Sequence, residues 1–525
     1  METEEKTLII SAEEYKALHA KIGEQETLIK YYESQLLSAR RHRFGSRSEK
    51  TDIDLAQLTL FVNETLTTVP EAETEEITYR RKKAKGKREA DLADLEVERI
   101  DYELNEEERA CNQCGETMRD IGIQIRRELK LIPAKVIVVE HAIHTYSCRK
   151  CERENITVPF RRSKAPKPLI SGSLASPSLV AHIAVQKYFN GMPLYRLENG
   201  FRYDGVNISR QTMANWVISC SERYLEGIYE LLKTHLLRET VIHADETWIQ
   251  VLREPGRAPQ SKSYEWIYRT SGCSKRNIAI YEYKETRNGE HPKAFLKDFK
   301  GLLHVDGYHV YHNLPTDITI IGCWSHARRY FENILKKQSH EQRKGSSAER
   351  GVAYINALFK LEREFADLSP EERLQKRLEK SKPVSDAFFE WAFGLGALPK
   401  VPLGEATGYA LKQRKYLENV FVDGRTELSN NRSERSVKPF VMGRKAWLFS
   451  TSPAGARASS VLYSIIETAK ENGLHPFRYL EFLLHILPNA TSSDLENLLP
   501  WSDCLPKECY VPIKKENADN GQKRA

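Results

Sequence analysis

The sequence predicts a multidomain α+β protein whose chemistry sits in an α/β catalytic domain. Three observations predict it. Two CxxC pairs, Cys111 with Cys114 and Cys148 with Cys151, bracket strand-like sequence. Between residues 238 and 335 short apolar runs alternate with polar helical stretches, the pattern of an α/β unit. Two of those runs each deliver an aspartate, Asp245 and Asp306, and a later polar helical stretch carries Glu434.

With 525 residues the chain is long enough for several domains. No apolar run is long enough to span a membrane. Met1 to Lys6 lacks the basic start and apolar core of a signal peptide. The expectation is a cytoplasmic protein without a membrane partner, whose nine cysteines are not a disulfide framework. The net charge of +7 leans toward a polyanionic partner. The charge is clustered at Arg40 to Lys50, Arg80 to Arg88 and Arg425 to Lys445.

Residues 1–50 read as a leucine-zipper-like coiled coil with a basic end. Ser11 and Glu14 make a capping box, and Tyr15, Leu18, Ile22, Gln25, Ile29, Tyr32, Leu36 and Ala39 step by three and four. An amphipathic helix packed on its own chain would show the same pattern. Residues 51–100 read as a charged linker, in which Arg80, Arg81, Lys82 and Lys83 are candidates for DNA phosphates. Residues 101–160 read as a zinc-binding β module. Cys111, Cys114, Cys148 and Cys151 supply four thiolates around a predicted strand, Lys135 to His144, which suits one structural zinc with no open position. A redox dithiol would not need the second pair.

Residues 170–235 read as a helix-turn-helix region. A turn through Gly205 precedes a helix capped by Ser209. Met213, Trp216, Val217 and Cys220 fall on one face of it, and Arg210, Gln211 and Asn215 on the other, where a recognition helix meets base edges. Any three-helix packing unit gives a similar pattern. Residues 236–455 order their strands and helices as a ribonuclease-H-like α/β domain, with a helical insertion at about 337–420. Within the insertion, Phe388, Phe389, Trp391 and Phe393 read as core. Residues 456–505 read as a small helical C-terminal domain and 506–525 as a disordered tail.

Successive strand side chains point to opposite faces, so Asp245 and Glu246 cannot both line one site. Asp245 ends its apolar run and shares a face with His243 and Thr247, which favours it. Among later acids Glu427 competes with Glu434. The arginine-rich surroundings of Glu434 suit a helix lying along a phosphate backbone, with Arg435, Lys438, Arg444 and Lys445 as candidate DNA contacts. Oxygen-only ligands suit magnesium or manganese. Two such ions about 3.5–4 Å apart would clamp the attacking and leaving oxygens of a phosphodiester.

The segments around Asp245, Val305-Asp306-Gly307-Tyr308, Gly322 to Phe331 and Asn430 to Arg435 together resemble the insertion sequence 66 family of DDE transposases. So do the zipper-like start, the four cysteines, Arg444 to Phe449 and Leu498 to Trp501. The resemblance implies a catalytic triad of Asp245, Asp306 and Glu434, and a family signature at Cys323, His326, Arg328 and Arg329. It implies strand cleavage and transfer on double-stranded DNA, at the element's ends and in the target. A homodimer or higher oligomer, helper proteins of the same element, and a cytoplasmic, nucleoid-associated place in a bacterium come with it. A silent DNA-binding derivative and a ribonuclease-H-like nuclease are the alternatives.

Overall fold

The computed structural model describes residues 135–147, 160–163 and 166–512. The heptad seam, the linker and its basic run, and all four CxxC cysteines lie outside those residues. The chain divides into two units, one holding residues 69–165 and the other residues 166–510.

In the smaller unit β1 (Thr145–Ser147) pairs antiparallel with β2 (Phe160–Arg162), and the Ser163 N–H donates to the His144 carbonyl at 2.9 Å. The strand expected over 135–144 is not formed. Those residues make no ladder among the described ones, and Ile137, Val138 and Val139 are exposed. A β-branched run without a partner has no edge to pair with.

The larger unit opens with α1 (Pro177–Tyr188), α2 (Leu194–Tyr203) and α3 (Arg210–Cys220). Ser209 caps α3, its hydroxyl accepting the Thr212 N–H at 3.1 Å. Met213, Trp216, Val217 and Cys220 are buried, as their spacing predicts. A single π turn joins α3 to α4 (Glu226–Leu237).

A five-stranded sheet follows: β3 (Val241–Gln250), β4 (Lys262–Thr270), β5 (Ala279–Lys284), β6 (Gly301–His304) and β7 (Ile318–Ile321), with α5 (Glu290–Phe295) between β5 and β6. Their order across the sheet is β5-β4-β3-β6-β7. The first two pairings are antiparallel and the last two parallel. β6 runs beside β3 only from Val241 to His243. Beyond that point one edge of β3 is left without a strand.

A helical block follows the sheet: α6 (Trp324–Lys337), α7 (Ser347–Glu364), α8 (Pro370–Lys376), α9 (Lys382–Gly394) and α10 (Pro402–Leu417). It has its own core of Trp324, Phe331, Ile355, Phe388 and Phe389 among others. Phe393 is 79% exposed and is not part of it. It lies four residues after Phe389, in the last turn of α9. The buried Arg377 binds the carbonyls of Val420, Asp423 and Thr426 and the Glu362 carboxylate, fixing the loop that leads back to the sheet.

α11 (Asn431–Trp447) packs against the open edge of β3. The Asn430 amide donates to the Ala244 carbonyl at 2.8 Å, and the Arg444 guanidinium to the Trp248 carbonyl. α11 stops at Leu448, with φ 69° and ψ −50°, the only non-glycine residue with positive φ among the described ones. The Phe449 N–H donates to the Trp447 carbonyl at 2.9 Å, closing a γ-turn of the rare, strained kind. Such conformations cost about 1–3 kcal/mol and persist when their surroundings over-determine them. Here the Leu448 N–H still bonds to the Arg444 carbonyl at 2.6 Å, and the Ser450 N–H bonds to the Gln250 carbonyl at 2.9 Å.

α12 (Pro453–Glu471) lies on the outer edge of β5, and α13 (Pro476–Ile486) packs on α1. The N–H groups of Ala279, Tyr281 and Tyr283 donate to the hydroxyls of Thr468, Ser464 and Ser460 at 2.8–3.1 Å. Ala456, Ala458 and Ser459 are buried too, so α12 is small-faced and sits flush on the strand. It shares one core with the sheet and the first three helices rather than founding a separate C-terminal domain. Residues 507–509, expected in a disordered tail, form a 3₁₀ turn with Cys509 buried.

Candidate active site

The site forms where β3 parts from β6. On β3, His243, Asp245 and Thr247 face α11 while Glu246 faces the other way. His243 Nδ1 meets Asn430 Oδ1 at 2.9 Å, and the Thr247 hydroxyl meets Arg444 at 3.1 Å. Asp306 lies two residues beyond β6. Its carboxylate accepts the Tyr308 N–H at 2.8 Å, a local turn that fixes its direction. A Cβ at Gly307 would stand 2.5 Å from the Tyr409 hydroxyl of α10, so any other residue after this aspartate would have to displace that ring. Glu434 lies in the first turn of α11.

These three acids are brought together electrostatically. Burial pushes the Asp245 carboxyl well above the usual range, and the charges of Glu246, Asp306 and Glu434 each push it further. Only the Glu246 N–H, at 2.8 Å, acts the other way. Glu434 Oε1 is buried without a hydrogen-bond partner, 3.6 Å from Arg329 and 3.8 Å from His326. Among the described residues no three His, Cys, Asp or Glu side chains are gathered closely enough to hold an ion as they stand. The carboxylate of Glu434 leans toward α6, to Arg329 and His326.

Glu427 stands differently. It accepts the Gly272 N–H and Arg432 Nε, both at 2.9 Å, and lies 3.7 Å from His243. Burial would raise its carboxyl, but His243, Arg432 and the Gly272 N–H together hold it below the usual range. Its own N–H donates to His304, which stacks on His243 with ring centres 4.6 Å apart. Burial holds His243 down at about 4, so this stack is neutral.

The signature residues divide by direction. Cys323 begins α6 and its Sγ accepts the Asn430 N–H at 3.2 Å. Burial would raise the thiol, but hydrogen-bonded His326 lowers it. Burial would lower His326, but Cys323 brings it up to about 9. Arg329 turns toward Glu434, whereas Arg328 turns away to Asn356 at 3.0 Å and Glu332 at 3.1 Å.

Among the candidate DNA contacts, Arg210, Gln211 and Asn215 are exposed, with Gln211 donating to Asn215 at 2.9 Å. Arg435, Lys438 and Lys445 are exposed along α11. Arg444 is not a surface contact. It is 8% exposed and stacks on Trp248 with 4.1 Å to the ring centre, because the open edge of β3 needs a donor. Sequence reasoning set Glu246 aside as facing away from the site. Its side chain is buried against Arg287 and the Tyr311 hydroxyl, yet its charge reaches Asp245. It passed over Arg287, a loop residue with no pattern to mark it. The role of Asn430, which ties β3, α6 and α11 together, was carried only by its place in a quoted motif.

Family models match most of the chain. A model described as "Transposase IS66 family" matches residues 172–458, more than half of the chain. The "zinc-finger binding domain of transposase IS66" matches 108–152, which includes all four CxxC cysteines. The "IS66 C-terminal element" matches 464–501. "Transposase C of IS166 homeodomain" matches 31–100, spanning the end of the heptad seam and the stretch read as a linker. Two proteins of Sinorhizobium fredii (strain NBRC 101917 / NGR234), y4qI and y4hP, both described as uncharacterized, are similar along most of their length. The first is 31% identical over 77% of this chain and 76% of its own. The second is 30% identical over 89% and 88%.

Proposed function

The chain belongs to the IS66 family of transposases, and on that premise we propose that it binds the ends of its insertion element, cuts them and joins them to target DNA. The observation that carries the reading is the Asp245 carboxyl, buried among Glu246, Asp306 and Glu434, whose charges all oppose its ionisation. A carboxylate in that position is comfortable only when a cation joins it. The donors are hard oxygens, which suits magnesium or manganese.

Asp245, Asp306 and Glu434 would hold the divalent ions. Bound there, the ions supply an activated water or hydroxyl and neutralise charge on the phosphate. The protein's part is positioning. Asn430 fixes the start of α11 against β3, and Arg329 and His326 hold the Glu434 carboxylate at the rim. The sheet order β5-β4-β3-β6-β7 supports the ribonuclease-H-like reading. Arg210, Gln211 and Asn215 would read bases, and Arg435, Lys438 and Lys445 would follow phosphates. Cys111, Cys114, Cys148 and Cys151 would hold one structural zinc, which metal analysis of Cys148→Ser protein tests. The deciding experiment is an end-cleavage and strand-transfer assay with magnesium and the element's own ends. Activity that survives Asp306→Asn would overturn the reading.

A further inference from the structure

The exposed face of α11 is a single stripe. Arg435, Lys438, Met442 and Lys445 follow one another at steps of three and four, starting beside Glu434. The stripe ends at the γ-turn, where Leu448 is 62% exposed and Phe449 40% exposed. Glycine would take the Leu448 conformation freely. The chain instead holds a leucine there, and that side chain buries little in return. The turn is tied on both sides, to α11 and to the end of β3. Trp248, on the strand that carries Asp245, is 42% exposed and joined to the tip through Arg444.

We infer that Leu448 and Phe449 form an apolar wedge that enters the base stack of DNA lying along the basic stripe of α11. This rests on the transposase reading. The cations at Arg435, Lys438 and Lys445 select a polyanion over an apolar protein partner. Apolar side chains pressed between base steps unstack and kink a duplex. A rigid, strained mount suits that task, because a wedge on a pliant loop would fold back. Fourteen residues of helix place the tip about 21 Å from Glu434, roughly six base steps from the cut phosphate.

The test uses full-length protein carrying Asp306→Asn, with duplexes taken from the DNA flanking the gene and 2-aminopurine stepped through them. Binding should raise the fluorescence at one step, several positions from the cleavage point. Leu448→Gly relieves the backbone and removes the side chain. It should unfold no more easily than its parent, yet lose that rise while still binding the duplex. Phe449→Ala should lose most of it. A rise that survives both changes overturns the wedge, as does a bound duplex with no rise at any step. If the two changes alter only self-association in light scattering, the patch is an interface between copies and the wedge is wrong. If the parent protein binds none of these duplexes, the failure lies with the transposase reading as well.

Discussion

Two groups of carboxylates beside β3 are treated in opposite ways. Around Glu254, just past β3, each carboxylate oxygen has a donor. Oε1 takes the hydroxyls of Ser263 and Tyr283, and Oε2 takes Arg257. Glu427 is similarly supplied by Gly272 and Arg432. Around Asp245 the neighbours are acids. A fold gains nothing from gathering like charges in a buried place, so the second group marks a site that something else must complete. The lesson is that burial and acidity do not separate the two groups. What surrounds the oxygens does.

The largest expected effect breaks the site itself. Asp245→Asn, Asp306→Asn and Glu434→Gln should each lower cleavage and transfer beyond the roughly 10–100-fold loss that outer positions give, with end binding kept. Gel assays of both steps check it. Next comes the supplied group. Glu254→Ala should destabilise the fold by about 3 kcal/mol, because it removes the ion-pair partner of Arg257 and the acceptor of two hydroxyls. Denaturant melts measure this, and the remaining folded protein should cut DNA normally. Glu427→Gln should cost about 1–2 kcal/mol by weakening charge-assisted bonds, again without loss of chemistry. A dead Glu427→Gln beside an active Glu434→Gln would reverse the assignment of the third acid.

The smallest effect is the sharpest for the comparison. Asp245→Asn should raise the melting temperature of metal-free protein at neutral pH. The folded state holds this carboxyl well above its ordinary range, so above that range the ionised form weighs against folding. Wild-type stability then falls as pH climbs from the ordinary carboxylate value through the raised one, and asparagine removes that fall. Glu427 has the opposite sign. Its lowered carboxyl contributes stability above the ordinary value, lost as pH drops through the folded one. Equal pH profiles for Asp245→Asn and Glu427→Gln would erase the distinction between the two groups.

Much of the layout was legible in sequence because it rests on local periodicity. β3 to β7 fall where apolar runs predict them, and α3 buries the four residues its spacing selects. Alternation correctly sent Asp245 and Glu246 to opposite faces. It could not say that a charge on the far face still reaches the site, since field falls with distance and not with side of strand. Arg444 was misread for a related reason. A basic residue on a polar helix looks like a surface contact unless one knows that β3 lacks a neighbour there. The placing of α12 was hidden too. Its residues read as part of a separate helical C-terminal domain, and the use of its serines and threonine depends on a strand some 180 residues earlier.

That helix and strand have different rulers. Four residues of helix advance about 6.0 Å, while two residues of strand advance about 6.6–6.8 Å. Each rung of the hydroxyl ladder therefore slips by about 0.7 Å, like the marks of a vernier. Three short hydroxyls absorb the slip at Tyr283, Tyr281 and Ala279. At the next position, just past the end of α12, stands Asn472, whose longer amide donates to the Asn277 carbonyl at 2.7 Å. At the other end the helix carries Ala456, and β5 stops at Lys284. Short hydroxyls thus keep two mismatched periods in step over three rungs, and a longer ladder of this kind would need longer side chains at its ends.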